Sequence, residues 1–162
     1  MPIPTELSLT EAERDALLSE EWNMRIATRS RSGRINLTPL WFVWHESRVW
    51  AYCRGQKVEN LRADPSCTVL VDRNQAFPEL QGIMIQGEAT IYEDADAEAA
   101  EAALPAVRAT YGTKYDGGHG EPAVGAGAPP MAASARGRTW RWVAITPTHV
   151  VSWDNHKLTR GH

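Results

Sequence analysis

The run Tyr52-Cys53-Arg54-Gly55-Gln56-Lys57 places two cations and an amide donor around one glycine, where an apolar stretch gives way to a helical pattern. Anions collect at such a place. The first turn of a helix leaves main-chain N–H groups unpaired, and the helix dipole favours negative charge there. Arg54 and Lys57 add charge-assisted donors, Gln56 a neutral one, and Gly55 lets the main chain approach a ligand closely. The ordinary alternative is a pair of solvated charges near a helix end. A cation at a helix N-terminus is mildly unfavourable unless an anion is present, which tilts the reading towards a bound phosphate.

Other reactive side chains form no comparable set. His45, His119, His149, His156 and His162 lack metal-ligand spacing, so no metal site is expected. Cys53 and Cys67 form neither a C-x-x-C pair nor a disulfide framework, and reduced thiols are expected. There is no G-x-S-x-G elbow, and no Ser/His/Asp set can be argued from spacing. Asp94, Asp96, Glu98 and Glu101 read as the wet face of a helix, and Gly117-Gly118-His119-Gly120 as flexible loop. No catalytic residue can be nominated. The net charge of −3 argues against the basic face that nucleic acid needs. The first residues carry acids where a secretion leader carries bases, and no apolar stretch is long enough to span a bilayer. A cytoplasmic protein without nucleic-acid or membrane partners is expected, as a single domain over 1–162. Its seven tryptophans suit interfaces and aromatic pockets.

The elements that must position the anion site follow from periodicity. Residues 10–19 read as an amphipathic helix, with Thr10 and Glu13 as a capping box and Ala12, Ala16 and Leu17 as its apolar stripe. Trp22, Met24 and Ile26 alternate as a strand, and Ser32-Gly33 turns the chain back. Residues 34–44 read as one strand, with Ile35, Leu37, Trp41 and Val43 on one face. Pro39 makes it an edge or a bulge. Residues 49–53 return as a third strand, 57–64 form a helix ended by Pro65, and 67–72 and 83–92 are further strands. Gly87 implies a bulge or a close approach. Residues 94–110 are helical, broken or kinked at Pro105. Residues 112–137 form a long Gly/Pro/Ala-rich loop suited to a lid. Residues 139–145 and 149–153 are two closing strands around Thr146-Pro147. Roughly seven short strands joined mostly by tight turns predict a mainly β, α+β domain: an antiparallel barrel with peripheral helices.

The order Gly-Arg-Ile-Asn-Leu-Thr-Pro-Leu-Trp-Phe (33–42), a turn, Val-Trp-Ala-Tyr-Cys (49–53) and Arg-Gly-Gln-Lys-Val-Glu-Asn-Leu-Arg-Ala-Asp-Pro (54–65) resembles the split β-barrel flavin-binding family of the pyridoxamine 5′-phosphate oxidase type. It looks closest to the flavin/deazaflavin oxidoreductase branch. Residues 22–92 carry the resemblance, and 57–65 are its most specific part. It implies a homodimer with the cofactor in a groove between subunits. The cofactor phosphate would lie on Lys57, with Arg54, Gly55 and Gln56 nearby. The ring would lie along Asn36, Leu37, Thr38, Pro39, Leu40 and Trp41, with Tyr52 and Cys53 along the ribityl chain. Trp153 of the partner subunit would complete the groove. Coenzyme F-420 and flavin mononucleotide (FMN) both fit this picture. Arg25, Arg29, Arg31 and Arg34 are available for the acidic tail of F-420, or are solvated hairpin charges. The substrate-phosphate residues of true pyridoxamine phosphate oxidases have no match, so vitamin B6 oxidation is not implied. Some relatives bind haem, but no histidine is singled out. The implied activity is hydride transfer between F-420 and a small electron-poor molecule. The alternatives are an FMN-dependent oxidoreductase, a non-catalytic flavin or deazaflavin carrier, and an interaction module without cofactor.

Overall fold

In the computed structural model, which describes residues 5–115 and 140–161, helix α1 spans Glu11–Glu20. Its capping box forms as expected: Glu13 N–H donates to the Thr10 hydroxyl, and Thr10 N–H to the Glu13 carboxylate. The stripe differs from expectation. Leu17 and Leu18 are buried while Ala12 and Ala16 are exposed, because the helix lies with only its C-terminal half against the sheet.

Seven antiparallel strands follow: β1 (Asn23–Arg29), β2 (Ile35–Trp41), β3 (Val43–His45), β4 (Arg48–Cys53), β5 (Ser66–Arg73), β6 (Gln81–Tyr92) and β7 (Arg141–Asp154). They form one sheet in the order β2-β1-β5-β6-β7-β4-β3. The two edge strands β2 and β3 are consecutive in sequence, with only Phe42 between them. A sheet whose opposite edges are joined by one residue cannot lie flat. It curls into a barrel, and β2 comes alongside β4 without pairing to it.

The residues expected as a single strand over 34–44 are therefore two strands on opposite edges. The break at Phe42 also separates Val43, which is buried, from the exposed Ile35, Leu37 and Trp41. Pro39 sits on an outer strand, where its missing N–H costs no ladder bond to a further neighbour. Conversely, the two closing strands expected around Pro147 are one continuous strand. The irregularity there is a register shift between Gln86 and Gly87, with Gly87 opposite Pro147. A Cβ on Gly87 would stand 2.4 Å from the Thr146 carbonyl oxygen, so both the bulge and the close approach are realised.

Between β4 and β5 runs α2 (Gln56–Ala63), and between β6 and β7 run α3 (Ala95–Ala100) and α4 (Leu104–Tyr115). The helix expected over 94–110 breaks at Glu101–Ala103, ahead of Pro105. That proline sits second in α4, where the first-turn N–H it lacks has no intrahelical partner anyway. Helix α4 runs on to Tyr115, so residues 112–115 of the expected loop are instead helical, with Gly112 and Tyr115 buried, whereas 116–137 lie outside the described residues. The barrel interior is filled by Met24, Ile26, Phe42, Val49, Val69, Ile85 and Ile145, among others. A second core lies outside the barrel, where Trp50, Tyr52 and Trp142 meet Leu104, Val107, Tyr111 and Tyr115 of α4. Strand β4 is thus buried on both faces.

Candidate functional site

The β4–α2 junction has the architecture its sequence implied. Strand β4 ends at Cys53, Arg54 is exposed, and Gly55 caps α2 with φ 82° and ψ −152°, a conformation essentially reserved for glycine. No side chain caps this helix. The N–H groups of Val58 and Glu59 reach back to the Gly55 carbonyl at 3.0 and 3.3 Å. Earlier first-turn N–H groups are the ones an external anion would meet. A Cβ on Gly55 would find nothing within 4 Å, so the space beside the turn is open on that side.

Around the turn, Lys57 Nζ donates to the Arg54 carbonyl at 2.9 Å, which folds the ammonium over the junction. The Arg54 guanidinium lies over the Trp140 ring at 4.9 Å. Gln56 points along the helix, and its Nε2 donates to Asn60 Oδ1 at 2.9 Å. Asn60 is buried and donates to Thr28 Oγ1 at 3.0 Å, which pins α2 to β1. A phosphate fits this set: a glycine turn, an uncapped first turn and two partly exposed cations, none of them held by a carboxylate among the described residues.

The remaining residues of the expected site divide. Strand β2 keeps Ile35, Leu37, Pro39 and Trp41 exposed and Asn36, Thr38 and Leu40 half-buried, so its outer face is open while Leu40 on the inner face packs against the barrel core. Tyr52 and Cys53 are buried and can offer a ligand little beyond main chain. Tyr52 is stacked on Trp140 at 5.2 Å, and burial pushes the Cys53 thiol up to about 11, which makes it an inert core thiol. Trp153 lies flat against Gly82 at one end of the β6/β7 ladder, while Tyr92 pairs with Trp142 at the other. At ~3.3 Å per residue these ends are on the order of 30 Å apart. Within one chain Trp153 does not join the β4–α2 junction. Of the hairpin arginines, Arg25 pairs with Asp72 and Arg29 holds Asp64 at 2.6 Å, while Arg31 and Arg34 flank the exposed turn.

Sequence reasoning missed an aromatic wall that links β2 to the junction. Trp41 stacks on Tyr115 (4.4 Å between ring centres), Tyr115 meets Tyr111 (4.8 Å), Tyr111 meets Trp142 (5.5 Å), and Trp142 meets Tyr52 (5.0 Å). Tyr111 and Tyr115 share a face of α4 by their i, i+4 spacing, a signal hidden by the loop-like composition that begins at Gly112. Lys114 was hidden with them. Its Nζ donates to the Phe42 carbonyl at 3.2 Å and lies 4.2 Å from the centre of the Phe42 ring. Burial lowers its ammonium to about 8, against the raising effect of Glu21.

An antiparallel split barrel, with a glycine turn and paired cations at the β4–α2 junction, is the fold class to which these elements belong. The pyridoxamine 5′-phosphate oxidase family model matches residues 10–154, and the chain belongs to that family. No curated protein matches it. Among solved structures it is similar to the conserved hypothetical protein Rv2991 from Mycobacterium tuberculosis, with 24% identity and a TM-score of 0.76 over 100% of this chain and 95% of that one. A FAD-binding protein from Mesorhizobium loti is 16% identical with a TM-score of 0.61, covering 90% and 94%. An F420 reductase is 19% identical with a TM-score of 0.55, covering 85% and 94%. At these identities the likeness is one of fold. No helix among the described residues is long and apolar enough to cross a membrane.

Proposed function

We propose that the protein is an oxidoreductase that binds a deazaflavin or flavin and passes hydride between coenzyme F-420 and a small electron-poor molecule. The observation that carries this reading is the uncapped start of α2 behind Gly55, with Arg54 and Lys57 over it. That set suits the phosphate shared by F-420 and FMN. Bound there, the cofactor supplies the hydride chemistry. The chain's own residues do the rest. Arg54 and Lys57 hold the phosphate, the exposed edge of β2 from Asn36 to Trp41 orients the ring, and the aromatic wall keeps water from its flank.

Two structural neighbours bear on the choice of activity, one being an F420 reductase and the other a FAD-binding protein. The first favours the enzyme with F-420. The second favours an FMN-dependent enzyme or a carrier that stores flavin without turnover. The enzyme takes precedence here because β2 offers a ring an open edge, where a second reactant can reach it. Titration of the purified protein with F-420 and with FMN, followed by tryptophan quenching, tests the reading. Micromolar binding of F-420 is expected, and Lys57→Ala should weaken it about tenfold or more, the loss of one charge-assisted phosphate contact. Unchanged affinity in Lys57→Ala would remove the phosphate clamp. Binding without turnover by reduced F-420 across a panel of enones and quinones would leave the carrier.

A further inference from the structure

The half-buried ammonium of Lys114 is a charge that the fold by itself does not require. An ammonium carries three donors, and the oxygen that Nζ reaches among the described residues is the Phe42 carbonyl, at 3.2 Å. Two ring faces adjoin it, Phe42 at 4.2 Å and Tyr115 at 5.6 Å. Glu21 is the carboxylate whose charge bears on it, but Arg73 already holds that group at 2.9 Å. Burial without a bonded anion disfavours a cation. Closing the β2–β3 joint does not call for one either. The Tyr115 hydroxyl already reaches the Phe42 N–H at 2.9 Å and its carbonyl at 2.8 Å. An apolar side chain of similar length would pack on the same rings without the cost.

Its position supplies a use for the charge. Phe42 follows Trp41, the last residue of the edge assigned to the cofactor ring, so the ammonium stands at that end of the edge. Trp41 and Lys114 both flank the Tyr115 ring, Trp41 by stacking at 4.4 Å. At the other end of the aromatic wall, Arg54 lies over Trp140, which stacks on Tyr52. Arg25, opposite Pro39 on β1, is engaged by Asp72. We propose that Lys114 is the charge partner of the reduced cofactor ring, favouring the ring after hydride uptake over the oxidised one. The assignment rests on the cofactor lying along β2, as proposed above. A hydride brings two electrons and one proton. Near neutral pH the reduced ring therefore holds negative charge on its pyrimidine edge, in flavin and deazaflavin alike, and a nearby cation tunes that equilibrium. A half-buried ammonium acts through less solvent than an exposed one, so its charge is felt more strongly.

Anaerobic titration of the full chain with F-420 and with FMN, each oxidised and reduced, tests this role without any substrate. For the cofactor that binds, Lys114→Met should weaken the reduced form at least tenfold more than the oxidised form. That ratio corresponds to about 30 mV in a two-electron potential. Lys114→Arg should keep the wild-type ratio of the two affinities. Lys57→Ala is the contrast. The phosphate charge does not change with the ring, so both forms should weaken by the same factor. If Lys114→Met does not fold, Lys114→Gln, equally neutral but polar, decides by the same ratio. Equal weakening of both forms in the neutral variant, or an unchanged affinity for each, would make Lys114 a packing residue and overturn the proposal while the cofactor site stands. Failure of both oxidised cofactors to bind the wild type would overturn the site, and this role with it.

Discussion

Glu101 illustrates how much one side chain can carry at a break in helical structure. Between α3 and α4 its carboxylate accepts from both terminal nitrogens of Arg48, from the Tyr92 hydroxyl at 2.6 Å and from the Ala103 N–H at 3.0 Å. Those donors, Arg48 first, hold its carboxyl down at about 2, below the ordinary 4.5. A carboxylate stabilised in the folded state contributes fully above its unfolded value, and that contribution is lost as pH falls from there through the folded value. Glu101→Gln should cost about 1–2 kcal/mol at neutral pH, allowing for its partial exposure to solvent. It should also flatten the loss of stability between pH 4.5 and about 2. Urea unfolding across that range checks both, and parallel wild-type and variant curves would refute the clamp. In the sequence Glu101 reads as one more acid on a wet helix face. Its partners Arg48 and Tyr92 come from distant strands, and no local pattern announces them. Gly55 is the opposite case, since a glycine between a strand end and a helix start states its own backbone requirement.

At the scale of elements, most strand and helix types were legible, as were the breaks that Pro105 and Gly87 announce, while the break at Phe42 was not. Periodicity reports which residues share a face, and it reads the same through a residue that changes direction. Phe42 is such a residue. What lets the chain leave β2 and enter β3 there is Tyr115, whose hydroxyl accepts from Phe42 N–H at 2.9 Å and can donate to the Phe42 or Trp22 carbonyl at 2.8 Å. Barrel closure therefore rests on a side chain from α4, about seventy positions away, as the sequence separation in these bonds records. Tyr115→Phe keeps the stacking on Trp41 and removes the hydroxyl, leaving the Phe42 N–H buried without an acceptor. A loss of about 2–3 kcal/mol is expected. Hydrogen exchange should be faster at the Phe42 amide than at the β5/β6 ladder amides. Uniform acceleration across the barrel would mean that the hydroxyl does not guard the joint. The same logic explains β7, where Pro147 looks like a terminator until Gly87 on the neighbouring strand absorbs the misfit.

For the whole molecule, the question is what meets the outer edge of β2. Ile35 and Leu37 are 65% and 68% exposed and Trp41 is 39% exposed, all on one face of a strand with no outer neighbour. Apolar side chains on an open sheet edge are a feature that soluble proteins normally cover or blunt. A second copy of the chain is the occupant proposed here. It would cover this face, and it would offer the partner's Trp153 as the aromatic residue that the family resemblance places in the groove. Sedimentation of the protein with and without F-420 separates the possibilities. A dimer is expected for the wild type. Ile35→Arg, placed on the exposed face but outside the proposed ring contacts Asn36–Trp41, should shift it to monomer. If the groove needs both copies, that variant should also lose F-420 affinity about tenfold or more while its Lys57 clamp remains intact. A monomeric Ile35→Arg that binds F-420 as tightly as the wild type would assign the whole cofactor site to one chain. A wild type that sediments as a monomer would leave the β2 stripe to some other partner and Trp153 outside the site.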